Sequence, residues 1–191
     1  MLRTFRFVWL LAALAMGAAS AAQAAISLVP TWIENDPANR RVRLDIAADW
    51  NDNNAANCGN LNGYFKGGVT VLVPAGWEVI IDFHVIGDRH GHSLMLTRPF
   101  DEARPPIRVS TDDAVAGVHT RQPVEGLRPG QNDRLQFPAV AGSYWLVSAK
   151  GTDLAGGLWI KLEVQDGLRK SEMVINNERI RRGYRGFVGR M

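Results

Sequence analysis

The middle of the chain alternates apolar and polar residues with the period of β-strands. Residues 42–50 (VRLDIAADW) and 77–85 (WEVIIDFHV) alternate, and residues 68–74 (GVTVLVP) are rich in β-branched side chains. Further strands are predicted at residues 92–97, 133–137, 143–148 and 157–164. Gly, Pro, Asn and Asp fill the intervening segments, as expected of turns. Many short strands separated by turn residues predict an all-β protein, either a sandwich or a small barrel.

One region breaks this pattern. Residues 102–131 contain four prolines and many acids and amides, and they are predicted to be irregular and to cover one edge of the sandwich. No internal repeat or low-complexity linker is visible. The simplest division is a signal peptide at residues 1–24, one β domain at 25–165 and a short C-terminal tail at 166–191.

The N-terminus predicts export. Arg3 and Arg6 precede an apolar run at residues 7–15, and residues 22–24 (AQA) form an A-x-A cleavage site before Ala25. An uncleaved membrane anchor is the alternative, but the run is shorter than the roughly 20 residues that span a bilayer. The mature protein is therefore expected in the periplasm or outside the cell. Its one cysteine, Cys58, is predicted to be a free thiol in a polar loop, with intermolecular pairing as the alternative.

Charge is concentrated at the ends of the chain. The formal net charge is +3, but the tail at 166–191 alone carries +4 and the domain before it −3. Tyr184 and Phe187 lie among the arginines of this tail. An exported basic segment predicts association with an acidic protein, a membrane-associated complex or an anionic lipid surface, and not with nucleic acid. A solvated end with no partner is the alternative.

Four segments resemble the sulfocyanins, a branch of the cupredoxins. They are NLNGYFKGGVTVLVPAGWEVIIDFHV, HSLML, GSYWLV and GGLWIKLEV, which together run from residue 60 to residue 164. The resemblance implies a cupredoxin-like Greek-key β-sandwich. It also implies a type 1 copper site that shuttles electrons, in which a His on the HS-containing strand is joined by Cys, His and Met from a later loop.

Carried over to this chain, that ligand set keeps one member of four. His92 matches the first ligand, whereas Ser148, Asp153 and Leu158 stand at the Cys, His and Met positions. A type 1 centre depends on a copper–thiolate bond, and a serine hydroxyl is a poor substitute. We therefore expect no cofactor, and a role as a binding or structural subunit. The alternative is a copper-binding protein, for electron transfer or copper handling, that uses His92 and Asp153 as non-standard metal ligands.

The chain also contains residues that suit other kinds of metal site or catalysis. His84, His90, His92 and Met95 lie within twelve residues, and His90 and His92 form an H-x-H pair that suits Cu(II) or Zn(II) if Asp153 is close. His84 is expected on the surface, and His119 is expected in a loop. No nucleophile elbow, zinc-protease motif or phosphate loop occurs, and a Ser148–His92–Asp153 triad lacks an evident oxyanion hole. The protein is predicted not to be an enzyme.

Overall fold

A computed structural model describes residues 27–28, 30–49, 59–86 and 90–176 of the 191-residue chain. The predicted signal peptide, Cys58 and the aromatic residues of the basic tail lie outside the described residues. Within the described part, no helix is long and apolar enough to cross a membrane.

The described residues form β-strands with two very short helices. The strands are β1 (Ser27–Leu28), β2 (Ile33–Asp36), β3 (Arg41–Ala48), β4 (Val69–Pro74), β5 (Glu78–Val85), β6 (Met95–Thr97), β7 (Ala114–His119), β8 (Asn132–Pro138), β9 (Gly142–Val147), β10 (Trp159–Gln165) and β11 (Glu172–Ile175). The helices are a 3-10 turn at Thr111–Asp113 and α1 at Asp153–Gly156. The predicted all-β class is confirmed.

Two sheets pack face to face. One has the strand order β1-β11-β4-β10-β9-β6-β7 and the other β2-β3-β5-β8. Most neighbours are antiparallel, but β3 pairs with β5 and β4 pairs with β10 in parallel. Parallel neighbours need a long crossover, so the chain passes between the sheets and does not meander within one. This is the predicted sandwich.

The core lies between the sheets and follows the alternation of the strands. Val79, Ile81 and Phe83 of β5 are fully buried, and they face Leu146 and Ile160 of the other sheet within one apolar cluster. The alternate hydrophobic side chains of β5 therefore reach the interior between the two sheets.

The longer sheet also buries part of its outer face. Trp145 and Trp159 point away from the main core and pack with Met95, while Phe100 makes edge contacts with both indole rings. Phe100 belongs to the segment between β6 and β7. Val109 packs against the same cluster, so part of the region 102–131, predicted to be irregular and to cover an edge, covers a face, and this region contains the unpredicted strand β7.

The predicted tail begins within the sandwich. β11 pairs with β4 on one side and with β1 on the other. Asn35 of β2 binds the main chain of Ser171, accepting its N–H at 2.6 Å and donating to its carbonyl at 3.0 Å. Residues 171–175 are therefore part of the β domain, although they lie in the basic segment 166–191 that the sequence analysis predicts to be a separate tail.

Candidate metal centre

One end of the sandwich carries the four residues that the resemblance predicts at the ligand positions, His92, Ser148, Asp153 and Leu158. Ser148 directly follows β9 and Leu158 directly precedes β10, and the Ser148 N–H donates to the Leu158 carbonyl at 3.0 Å. This bond closes the loop that contains α1, which begins at Asp153. His92 lies just before β6, the neighbour of β9, so the sheet order brings it beside this loop.

Hydrogen bonds join three of the four positions directly. The Nδ1 atom of His92 lies 2.8 Å from Oδ2 of Asp153, and the Ser148 hydroxyl donates to the same oxygen at 2.7 Å. Leu158 is fully buried and supplies an apolar wall. A Cβ built on Gly59 would come within 3.1 Å of both the His92 ring and the Leu158 side chain, so Gly59 permits their close approach.

Asp49 is a fifth member of this group, and sequence reasoning missed it. Its Oδ2 lies 2.6 Å from Nε2 of His92, so that carboxylates face both ring nitrogens. Asp49 follows β3 in a left-handed conformation, and its N–H donates to the Asn60 carbonyl at 2.9 Å. The only sequence signal was an acid at the end of an alternating strand, which does not distinguish it from a turn residue.

The charges in this group depend on one another. Burial alone would lower the pKa of His92, but the hydrogen bonds and charges of Asp153 and Asp49 outweigh it and raise the pKa to about 9. The pKa of Asp49 is lowered despite its burial, because the hydrogen bond and charge of His92 stabilise the carboxylate. Without a metal ion, His92 is thus an imidazolium held by carboxylates at neutral pH.

Within the described part of the chain, hydrogen bonds join none of the other predicted metal-binding residues to this group. His84 is partly exposed and its Nε2 lies 3.1 Å from Oδ1 of Asp45, while His90 is exposed. Met95 is buried on the outer face of the longer sheet. His119 ends β7, and its Nδ1 lies 2.8 Å from the Thr120 carbonyl. Among the described residues, no three His, Cys, Asp or Glu side chains form a ready-made metal cluster.

The donor set decides which metal chemistry the site fits. His92 and Asp153 offer an imidazole nitrogen and a carboxylate oxygen, Ser148 offers a hydroxyl oxygen, and Leu158 offers no donor. Nitrogen and oxygen donors suit Cu(II), whereas a type 1 centre requires a thiolate. The residues therefore fit a copper(II) ion held by N and O atoms and do not fit a type 1 centre.

A serine-nucleophile arrangement is not formed. The Ser148 hydroxyl donates to Asp153 and accepts the Ser93 N–H at 3.1 Å, and it makes no bond to His92. A catalytic triad needs the serine hydroxyl bonded to the histidine that takes its proton. Asp153 instead lies between the other two residues.

Comparison with known families shows the family to which this sandwich belongs. The model of the sulfocyanin (SoxE) domain matches residues 30–175, which include every described strand from β2 to β11. The chain belongs to the sulfocyanin family. Sulfocyanin of Sulfolobus acidocaldarius is 27% identical over 143 residues, which cover 72% of this chain and 70% of that protein. The predicted family is confirmed.

Solved structures agree on the fold. Rusticyanin, described as a copper protein, superposes with a TM-score of 0.50 at 17% identity, covering 70% of this chain and 87% of its own. Reduced rusticyanin also gives 0.50, at 18% identity, covering 66% of this chain and 85% of its own. A rusticyanin point variant gives 0.51 at 17% identity, covering 70% and 87%. The predicted cupredoxin-like fold is thereby confirmed.

These comparisons correct one prediction. The expectation that no cofactor is involved is wrong, because the chain belongs to the sulfocyanin family and shares its fold with a copper protein. Both findings favour the alternative expectation, copper. Residues 92, 148, 153 and 158 include no thiol, so these four residues cannot supply a type 1 donor set, but they do supply imidazole and carboxylate donors.

Proposed function

We propose that this sulfocyanin-family protein is an exported, non-enzymatic copper(II)-binding protein that holds the ion through Nδ1 of His92 and the carboxylate of Asp153. The observation that carries the proposal is the 2.8 Å contact between these two groups at the ligand positions of the family. Ser148 bonds the same carboxylate and orients it. When bound, the ion supplies a positive charge that replaces the proton shared by these groups.

The donor types favour copper handling over rapid electron transfer. A thiolate and weak axial ligand stabilise both oxidation states of a blue-copper site, whereas oxygen donors prefer the harder Cu(II) ion. Asp49 and Asp153 add negative charge around His92, which stabilises a divalent ion further. The oxygen donors and the negative charge around His92 therefore favour a role in binding and delivering Cu(II).

Titration of the metal-free, full-length protein with Cu(II), followed by calorimetry and electron paramagnetic resonance, tests the proposal. We expect one ion per chain, with nitrogen coupling from one imidazole and without intense thiolate absorption. His92→Gln should abolish binding. His84→Gln is the matched control, because His84 also faces an aspartate but belongs to the surface of β5. Equal binding by both variants, or none by the unvaried protein, would contradict the proposal.

A second proposal concerns association through the basic segment at 166–191. Its support is the net charge of +4, together with the exposure of Arg169 and Lys170 beside β11. We propose that this segment binds an acidic protein of a membrane-associated complex. Replacement of Arg179, Arg181, Arg182 and Arg185 by Gln should remove a salt-sensitive interaction in pull-downs from membrane extracts. Binding to anionic vesicles alone would assign the segment to lipid instead.

A further inference from the structure

The two nitrogens of the His92 ring face different surroundings. Nδ1 faces Asp153, the residue that also binds Ser148, whereas Nε2 faces Asp49. We infer that Asp49 is a positioning residue, which accepts the Nε2 proton of His92 and so keeps Nδ1, the nitrogen that faces Asp153, directed toward a metal ion. The inference rests on the proposed function and assigns a role to a residue outside the family ligand positions.

The chemistry of imidazole ligands explains why such a partner is needed. A neutral imidazole carries one N–H, and either nitrogen can hold it. A histidine that binds a metal through one nitrogen usually donates the other N–H to a carboxylate or carbonyl, which fixes the tautomer and the ring orientation. The 2.6 Å contact between Nε2 and Asp49 has this form.

Asp49 is held firmly in this place. Its N–H is bound by the Asn60 carbonyl, and its side chain is only 19% exposed. A Cβ on Gly59 would lie 2.9 Å from Asp49 Oδ1, so the segment at Gly59 packs directly on the carboxylate. The two ring nitrogens point away from each other, so a carboxylate on Nε2 does not reach an ion at Nδ1. Asp49 therefore acts through His92.

The test is Asp49→Asn in the full-length protein, with Asp45→Asn as the matched control. Asp45 lies on β3 and faces Nε2 of the surface residue His84 at 3.1 Å. Competition titration with Cu(II) should show a 10- to 100-fold loss of affinity for Asp49→Asn and no change for Asp45→Asn. Nitrogen-edited NMR of the metal-free protein should show a protected, downfield Nε2 proton on His92, and in Asp49→Asn this proton should move upfield and exchange with water faster.

The outcomes separate this inference from the proposed function. If the unvaried protein binds no Cu(II), the proposed function fails, and the presence or absence of the upfield shift and faster exchange of the His92 Nε2 proton in Asp49→Asn still decides the role of Asp49. Unchanged affinity and an unchanged signal in Asp49→Asn overturn the inference. If Asp49→Asn does not fold, proton exchange in the unvaried protein provides the test. A His92 Nε2 proton that exchanges with water as fast as the Nε2 proton of His84 would overturn the inference about Asp49.

Discussion

At the scale of single residues, the candidate site is a continuous chain of hydrogen bonds. Asp49 binds His92, His92 binds Asp153, and Asp153 accepts from Ser148. A buried charge is tolerated only when it is paired, and removal of one partner leaves the other charge uncompensated. The polar side chains of this site therefore depend on one another, and loss of any one of them leaves a neighbour without its partner.

The raised pKa of His92 predicts how stability depends on pH in the metal-free protein. The folded pKa is about 9 and the ordinary value is 6.5. The protonated ring therefore stabilises the fold fully below about pH 6.5, and this contribution is lost as the pH rises through about 9. The shift corresponds to a change on the order of 3 kcal/mol in the free energy of unfolding.

Urea unfolding in the presence of a chelator, at several values between about pH 6 and pH 10, measures this loss. His92→Gln should be less stable than the unvaried protein at low pH, and the difference should shrink as the pH rises. His84→Gln is the control, because it replaces a histidine on the surface of β5 and leaves the contacts of His92 with Asp49 and Asp153 in place. If the free energy of unfolding changes with pH in the same way in His92→Gln and in the unvaried protein, Asp49 and Asp153 do not stabilise the protonated form of His92.

At the scale of elements, the outer face of the longer sheet contains a buried group that lacks a partner. The hydroxyl of Thr97 in β6 has no hydrogen-bond partner among the described residues, although Thr97 is 4% exposed. An unpaired buried hydroxyl costs free energy that a methyl group does not. Thr97→Val should therefore raise the free energy of unfolding by up to about 1 kcal/mol.

Thr120 provides the matched control for that change. It is also buried, but its hydroxyl accepts the Leu94 N–H at 3.3 Å. Thr120→Val should lower the free energy of unfolding by about 1–3 kcal/mol, because the Leu94 N–H loses its acceptor. Thermal and urea unfolding of both variants give the comparison. A loss of stability in Thr97→Val would show that its hydroxyl is bonded in solution.

The strand β11 permits a separate prediction about where the domain ends. Met173 of β11 is 3% exposed and lies in the main core, whereas its neighbour Val174 is only partly buried. Met173→Ala should lower the free energy of unfolding by about 2–5 kcal/mol. Val174→Ala should cost clearly less. Equal, small losses in urea unfolding would instead place β11 outside the cooperative domain.

At the scale of the whole molecule, the sequence predicts which face of a strand is buried, because that pattern repeats along the strand. It does not predict contacts that depend on the order of the strands in the sheets. Alternation in β5 predicts a buried face, and Val79, Ile81 and Phe83 occupy it. The position of Asp49 depends on long-range contacts, which periodicity does not encode. β11 was missed because it is short and lies in a basic segment, and its assignment depends on pairing with β4.

The whole scaffold can be tested by restoring the ligands that the family implies. The sheets bring His92, Ser148 and Asp153 within hydrogen-bonding reach, and Leu158 lies on the same site. The triple change Ser148→Cys, Asp153→His and Leu158→Met would place a thiolate, two imidazoles and a thioether there, the donors of a blue-copper centre. With Cu(II), we expect an intense thiolate-to-copper absorption in the visible spectrum, which the unvaried protein lacks. The double change Asp153→His and Leu158→Met is the control, because without the thiolate that absorption should be absent. A folded triple variant that binds copper without this absorption would show that the loop at 148–158 does not hold the three replaced positions in ligand geometry.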